Sequence, residues 1–262
     1  MAYFNLTEPV DVNVQGVVKN FPSGTEIAVG DIDGYRVFNK FAESTVISTS
    51  YVDIWPNASI LSYLSSAETM HLSSTSGNDT SGGTGAQQVR VYGLDNDYYE
   101  IDEIVNLAGT GNSTTSKSFL RIYRMVVIQA GSGSANAGII TATATSAGTV
   151  QAYIGVGINQ TLQSQYTVPA NYYLSLTGFE ITVQKGDQAN IRGVVRPFGQ
   201  TFQVKRVYNI YQSANSFAFE PPILIPPKSD ISLRAIKISG AGNVTASCSY
   251  DGYLINSSLV KV

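Results

Sequence analysis

Hydrophobic and polar residues alternate with a period of two along most of this chain, as they do in strands with one buried face. Val10, Val12 and Val14 alternate with Asp11, Asn13 and Gln15, and residues 35–41 alternate again. Residues 43–55 are largely β-branched (Thr45, Val46, Ile47, Thr49, Val52, Ile54), which disfavours helix and suits a pleated surface. Further strand-like runs occupy 117–130, 139–144, 149–154, 163–168, 172–184, 189–195, 200–211, 217–225, 231–239 and 243–255, separated by Gly, Pro and Asn. Residues 58–70 place Ile60, Leu61 and Leu64 at helical spacing, but the segment is short, serine-rich and uncapped, which weighs against a helix. No repeat of fixed period is present, which excludes a β-helix or propeller. The pattern predicts an all-β chain built as an antiparallel sandwich or barrel.

Residues 73–107 stand out. A run of small polar residues, 73–85, leads into a strand at 88–94, an acidic turn (Asp95, Asn96, Asp97, Tyr98) and a second strand at 99–107. This reads as a polar connector entering a hairpin with its turn exposed. At the chain's start, residues 1–33 read as an extended N-terminal arm. Residues 34–262 read as the β-sandwich, with 34–72 a candidate small subdomain or connecting segment.

Composition narrows the partners. Only 13% of the 262 residues are charged. Such a surface has little electrostatic protection against association, so a stable partner or self-assembly is expected. A net charge of −3 lacks the basic excess of a nucleic-acid-binding face. No apolar run approaches the roughly 18 residues that span a bilayer, and the N-terminus has neither the basic region nor the apolar core of a signal peptide.

Candidate chemistry is sparse. The chain has one histidine, His71, with no catalytic motif around it, and one cysteine, Cys248, placed on a strand face with Ala246 and Tyr250 as a small buried apolar residue. One His and one Cys cannot supply a zinc ligand set. Asp95, Asn96 and Asp97, with Glu100 nearby, offer the hard oxygens calcium prefers, but lack the EF-hand's glycine and distal glutamate. The same residues are those a tight turn selects. Asp102/Glu103 and Asp31/Asp33 are the carboxylate pairs a glycosidase would need, and solvated charges explain them equally. Gly155-Val156-Gly157-Ile158-Asn159-Gln160 lacks the third glycine of a dinucleotide fingerprint. Pro221, Pro222, Pro226 and Pro227 read as brackets around a short strand. Tyr92, Tyr98 and Tyr99 are candidates for an interface, where amphipathic rings are favoured. No catalytic residue and no cofactor is expected.

The order of certain segments resembles a family of tailed-phage virion proteins frequent in marine and cyanobacterial phages. The segments are Gly34-Tyr35-Arg36-Val37-Phe38-Asn39-Lys40-Phe41, Asp53-Ile54-Trp55, Asn78-Asp79-Thr80 leading into Gly83-Thr84-Gly85-Ala86, and Gly93-Leu94-Asp95-Asn96-Asp97-Tyr98. Phe119-Leu120-Arg121-Ile122, Gln160-Thr161, Tyr166-Thr167-Val168-Pro169-Ala170 and Pro227-Lys228-Ser229-Asp230-Ile231 follow. The resemblance spans residues 34 to about 255 and leaves 1–33 outside it. It implies a noncatalytic particle component with a jelly-roll sandwich, acting as a capsid cement or decoration protein on the outer shell, often trimeric, with the major capsid protein as partner. It carries over no catalytic residue. The alternative is a tail-fibre or receptor-binding protein that recognises a host-surface glycan. In the cement reading, Val10, Val12 and Val14 of the arm would add a strand to a neighbour's sheet edge.

Overall fold

A computed structural model describes residues 24–261. Val10, Val12 and Val14 lie outside the described residues. The described residues begin with a short helix α1 (Gly24–Val29), then β1 (Tyr35–Ile47) and β2 (Val52–Asp53). Next come β3 (Met70–Ser74), β4 (Ala86–Leu94), β5 (Glu100–Asn106), β6 (Ser113–Thr114), β7 (Arg121–Ala130), β8 (Ile140–Ala144) and β9 (Val150–Ile154). The last group is β10 (Tyr166–Thr167), β11 (Tyr172–Val183), β12 (Gln188–Arg196), β13 (Gln203–Tyr211), β14 (Ala214–Ile225), β15 (Asp230–Ser239) and β16 (Val244–Asn256). Every pairing among them is antiparallel. The all-β expectation holds.

Two sheets made from the first and last groups face each other across one core. One has the order β1-β16-β11-β14; the other runs β10-β15-β12-β13, with β2 also on β15. On β15, Asp53 and Val52 lie opposite Arg234 and Ala235, and farther along Tyr166 and Thr167 lie opposite Ile231 and Asp230. Thus β2 and β10 are two halves of a single strand position. Counted that way, the eight positions run 1-8-3-6 in one sheet and 2-7-4-5 in the other, which is jelly-roll order. The sequence explains the burial. β16 alternates buried and half-buried residues along nearly its whole length, turning Val244, Ala246, Cys248, Tyr250 and Leu254 inward. In β11 a register shift after Leu176 lets both Leu176 and Phe179 face the core. Gly252 sits at this shift because a Cβ there would lie 2.1 Å from the Ser175 carbonyl oxygen.

Residues 54–165 are spliced into the split strand and form a second sandwich with its own core. Its sheets are β6-β3-β8-β9 and β5-β4-β7, packed through Met70, Leu72, Val89, Val91, Phe119, Met125, Ile140 and Ile154. The strands expected to share one sandwich over 34–262 therefore divide between two hydrophobic cores. β1 and β2, inside the 34–72 segment, belong to the jelly roll, while β3 belongs to the insert.

One local expectation is corrected: residues 24–29, read as part of an extended arm, form a helix that buries Ile27. As its short, serine-rich and uncapped sequence implies, segment 58–70 forms no helix; the junction claims the backbone, with Trp55 Nε1 donating to the Ser59 carbonyl at 2.8 Å and the Leu61 amide donating to Asp53 at 2.7 Å. Ile223, Leu224 and Ile225 pair with β11 between Pro221/Pro222 and Pro226/Pro227, as the proline brackets predict, and Pro221 and Pro222 fall within the longer β14 where its pairing with β11 is interrupted.

Where the insert leaves and re-enters, polar groups are buried together. Asp230 accepts from Arg121 Nε at 3.0 Å, Thr167 Oγ1 at 2.6 Å and Arg196 Nε at 2.8 Å. Arg121 also donates to the carbonyls of Leu64 and Leu120, each at 2.8 Å. Asp53 accepts from Arg234 Nε, Ser232 Oγ and the Leu61 amide. The cations alternate with rings: Tyr63 lies near Arg121 and Arg196, and Phe202 near Arg196 and Arg234. Removing one member of such a network strands the others without solvent. Asp230→Ala is expected to cost about 3–5 kcal/mol of folding stability, measured by urea denaturation; a loss within experimental error would show that Asp230 does not hold the junction.

Candidate functional site

The jelly roll ends in an open edge. Among the described residues β13 pairs only with β12, and β14 only with β11, so both sheets terminate on the same side with strand edges that no described strand pairs. On the inner side the opening is closed by rings: Phe179 packs edge-on against Phe219 at 5.1 Å, and Tyr208 lies 4.1 Å from Phe217. Outside, the strands present Val204, Val207, Tyr211 and Leu224, each about half exposed, and of β13 only Ile210 is buried. Lys205 and Arg206 interrupt the apolar row, as charges do on edges that must not pair indiscriminately. Exposed apolar residues grouped along two sheet edges form a surface suited to a protein partner.

The acidic turn is built differently from a ligand loop. Asp95 Oδ1 accepts the Asp97 and Tyr99 amides, each at 2.9 Å, and Asn96 Oδ1 accepts the Ala67 amide at 3.1 Å. These oxygens are committed to the local backbone. Glu100 pairs with Arg36 at 2.8 Å instead of joining them. Among the described residues no group of three or more His, Cys, Asp or Glu is placed to hold a metal ion. Tyr98, at a φ of +69°, packs edge-on against Phe198 at 5.6 Å with Lys228 above both rings, so it joins the insert's hairpin tip to the jelly roll. Tyr92 lies beneath Arg90, and Tyr99 is the most exposed of the three tyrosines.

The remaining candidates are engaged within the fold or lie open to solvent. His71 Nδ1 bonds Thr114 Oγ1 at 2.9 Å. Asp102 pairs with Arg90, and Glu103 accepts the Ser116 and Lys117 amides. Asp31 and Asp33 are exposed. Cys248 is buried, which pushes its thiol up to about 12.

Two important residues were not singled out from the sequence. Asp79, fully buried, accepts from Ser74 Oγ at 2.6 Å and from the amides of Ala86, Ala137 and Gly138 at 2.7, 2.8 and 2.8 Å. It draws the polar run 73–85 and the glycine-rich loop 131–138 onto one carboxylate. The available signal was a single charge in a run otherwise made of neutral turn residues. Lys40 lies on the inward face of β1, where alternation predicts an apolar residue, and donates to the Tyr123 carbonyl of β7. Burial, reinforced by the nearby Arg124 charge, lowers its ammonium to about 7.

No family model matches the sequence, and no curated protein matches it. Among solved structures the chain is similar to that of the infectious bursal disease virus Gx strain, with 11% identity, 86% of this chain and 73% of that one covered, and a TM-score of 0.25. The crystal structure of the infectious bursal disease virus VP2 subviral particle gives 10% identity, 87% and 73% coverage, and a TM-score of 0.22. At such low scores the fold assignment rests on the strand order itself.

Two outcomes follow from these buried groups. Asp79→Ala, which orphans three backbone amides, is expected to destabilise the protein by about 2–4 kcal/mol and to speed hydrogen exchange at Ala86, Ala137 and Gly138; unchanged exchange there would refute its organising role. Lys40 binds fewer protons folded than unfolded between pH 7 and its ordinary value of 10.5, so its contribution to stability rises with pH across that window. Denaturation midpoints in bis-tris propane should therefore climb between pH 7 and 8.5, and Lys40→Met should flatten the climb.

Proposed function

We propose that the protein is a noncatalytic virion structural component, a decoration or cement protein on the outer capsid surface of a tailed phage. The observation that carries this reading is the edge of the jelly roll where β13 and β14 expose Val204, Val207, Tyr211 and Leu224, with no strand among the described residues paired to their outer sides. The low charge and the resemblance to phage virion proteins point the same way. Its partners in this reading are the major capsid protein and further copies of itself, most simply in a trimer.

The mechanism is additive burial. Each copy bridges neighbouring shell subunits, so opening the shell must also strip these contacts; binding the assembled state alone stabilises it by mass action. In this reading the segment expected as an arm, residues 1–33 with Val10, Val12 and Val14, would reach along the shell and add a strand to a neighbour's sheet edge.

A second reading, a tail-fibre or receptor-binding protein that recognises a host-surface glycan, is favoured by one feature. Phe198, 60% exposed, stands with Tyr98 and Lys228 at a cleft of about 210 Å³, an aromatic and cationic setting that suits a sugar ring.

The two readings separate by substitution. Val207→Glu combined with Leu224→Lys changes only exposed side chains, so the fold should survive. In the cement reading its binding to phage shells falls by at least about tenfold, roughly 1.4 kcal/mol, while Phe198→Ala binds normally. Full shell binding by the edge variant, together with loss of cell-surface binding by Phe198→Ala, would favour the receptor reading.

A further inference from the structure

A cleft of about 260 Å³ separates β1, an edge strand of the jelly roll, from β7 of the insert. Its lining sets three cations, Arg36, Lys40 and Arg124, against one carboxylate, Glu100. Glu100 is already taken by Arg36. Lys40 is only 8% exposed, bonds the Tyr123 carbonyl, and joins no ion pair among the described residues. An ammonium carries three N–H donors, so two are left for another partner. Arg124, exposed at the rim, spends one bond of 3.4 Å on Gln160.

Burying a cation without a counter-charge is costly, and at the junction it is avoided: the buried Arg121 faces Asp230 and Arg234 faces Asp53. Lys40 breaks that pattern at the wall of an open cleft. The groups around it are Tyr123 and Arg124 on β7, Arg36 on its own strand, Tyr250 opposite it on β16 with Cys248 beyond, Tyr166 on β10, and Glu100 at the start of β5. None of them supplies the missing negative charge to Lys40.

We propose that this cleft binds a small oxyanion, a carboxylate or a phosphate group, held by the ammonium of Lys40 and the guanidinium of Arg124. Thr161 and the rings of Tyr123 and Tyr166 form part of its wall. Drug-sized ligands fill pockets of about 300–1,000 Å³, so this smaller space takes a ligand no larger than a single sugar ring. The site is independent of the β13 and β14 edge. Because Lys40 titrates near 7 when unliganded, an anion seated against it favours the charged form, and its affinity falls as pH rises above 7.

Isothermal titration of the full chain in bis-tris propane tests this, with sodium acetate, glucuronate and sulfate as probes. Sulfate stands in for phosphate because its charge is constant over the pH range. At least one probe is expected to bind saturably at one site per chain. Its affinity should be roughly six- to twenty-five-fold weaker at pH 8.5 than at pH 6.5, and at least tenfold weaker in both Lys40→Met and Arg124→Gln. Arg124 is exposed, so its variant keeps the fold even if the Lys40 variant does not. Preference for sulfate identifies a phosphate ligand; preference for glucuronate over acetate identifies an acidic sugar; equal binding of both carboxylates identifies the carboxylate alone. No saturable binding by any probe, affinity unchanged by Arg124→Gln, or affinity independent of pH would overturn the site.

Discussion

Two buried carboxylates, Asp53 and Asp230, hold the place where one jelly-roll strand stops and, more than a hundred residues later, resumes. Asp53 ends the first half of that strand position and faces Arg234 across the pair; Asp230 lies opposite Thr167 in the second half. Arg121, the first residue of β7, reaches out of the insert to Asp230, and Arg196 reaches it from the end of β12. A strand cut in two loses ladder hydrogen bonds at the break and exposes backbone groups there. The network replaces them with charge-assisted bonds, and the alternating arginines and rings fill the remaining space. The same contacts orient the insert, and so set the cleft at Lys40 and the packing of Tyr98 against Phe198.

Most strands were legible because burial follows the period-two pattern wherever one face meets the core, as in β16 and β1. The Asp95–Tyr98 turn was legible for a related reason, since Asp and Asn side chains that bond their own backbone mark a hairpin tip. The split strand was not legible. β2 and β10 each contribute only two paired residues, and nothing in a local pattern says that two short segments so far apart in sequence occupy one position in a sheet. The division into two cores shared that fate, because alternation shows which face is buried but not against which partner sheet. That 58–70 forms no helix was legible in its short, serine-rich and uncapped sequence, and hydrogen bonds at Trp55 and Asp53 hold its backbone in another path.

The candidate functional features were read unevenly. The tyrosines near the acidic turn stand where a hairpin tip should put them, but Tyr98 is used within the chain. Asp79 and Lys40 were missed because their importance comes from neighbours distant in sequence: loop 131–138 for one, β7 for the other. The open edge at β13 and β14 was hidden for the opposite reason. Both segments look like ordinary strands, and only the sheet order reveals that each lacks a neighbour among the described residues. The proposed assembling role rests on that edge.

The most direct measurement is the number and position of copies on purified phage particles, by quantitative mass spectrometry together with electron microscopy of the same preparation. A decoration protein should be present in a fixed ratio to the major capsid protein and spread over the shell. A few copies confined to the tail would contradict that role.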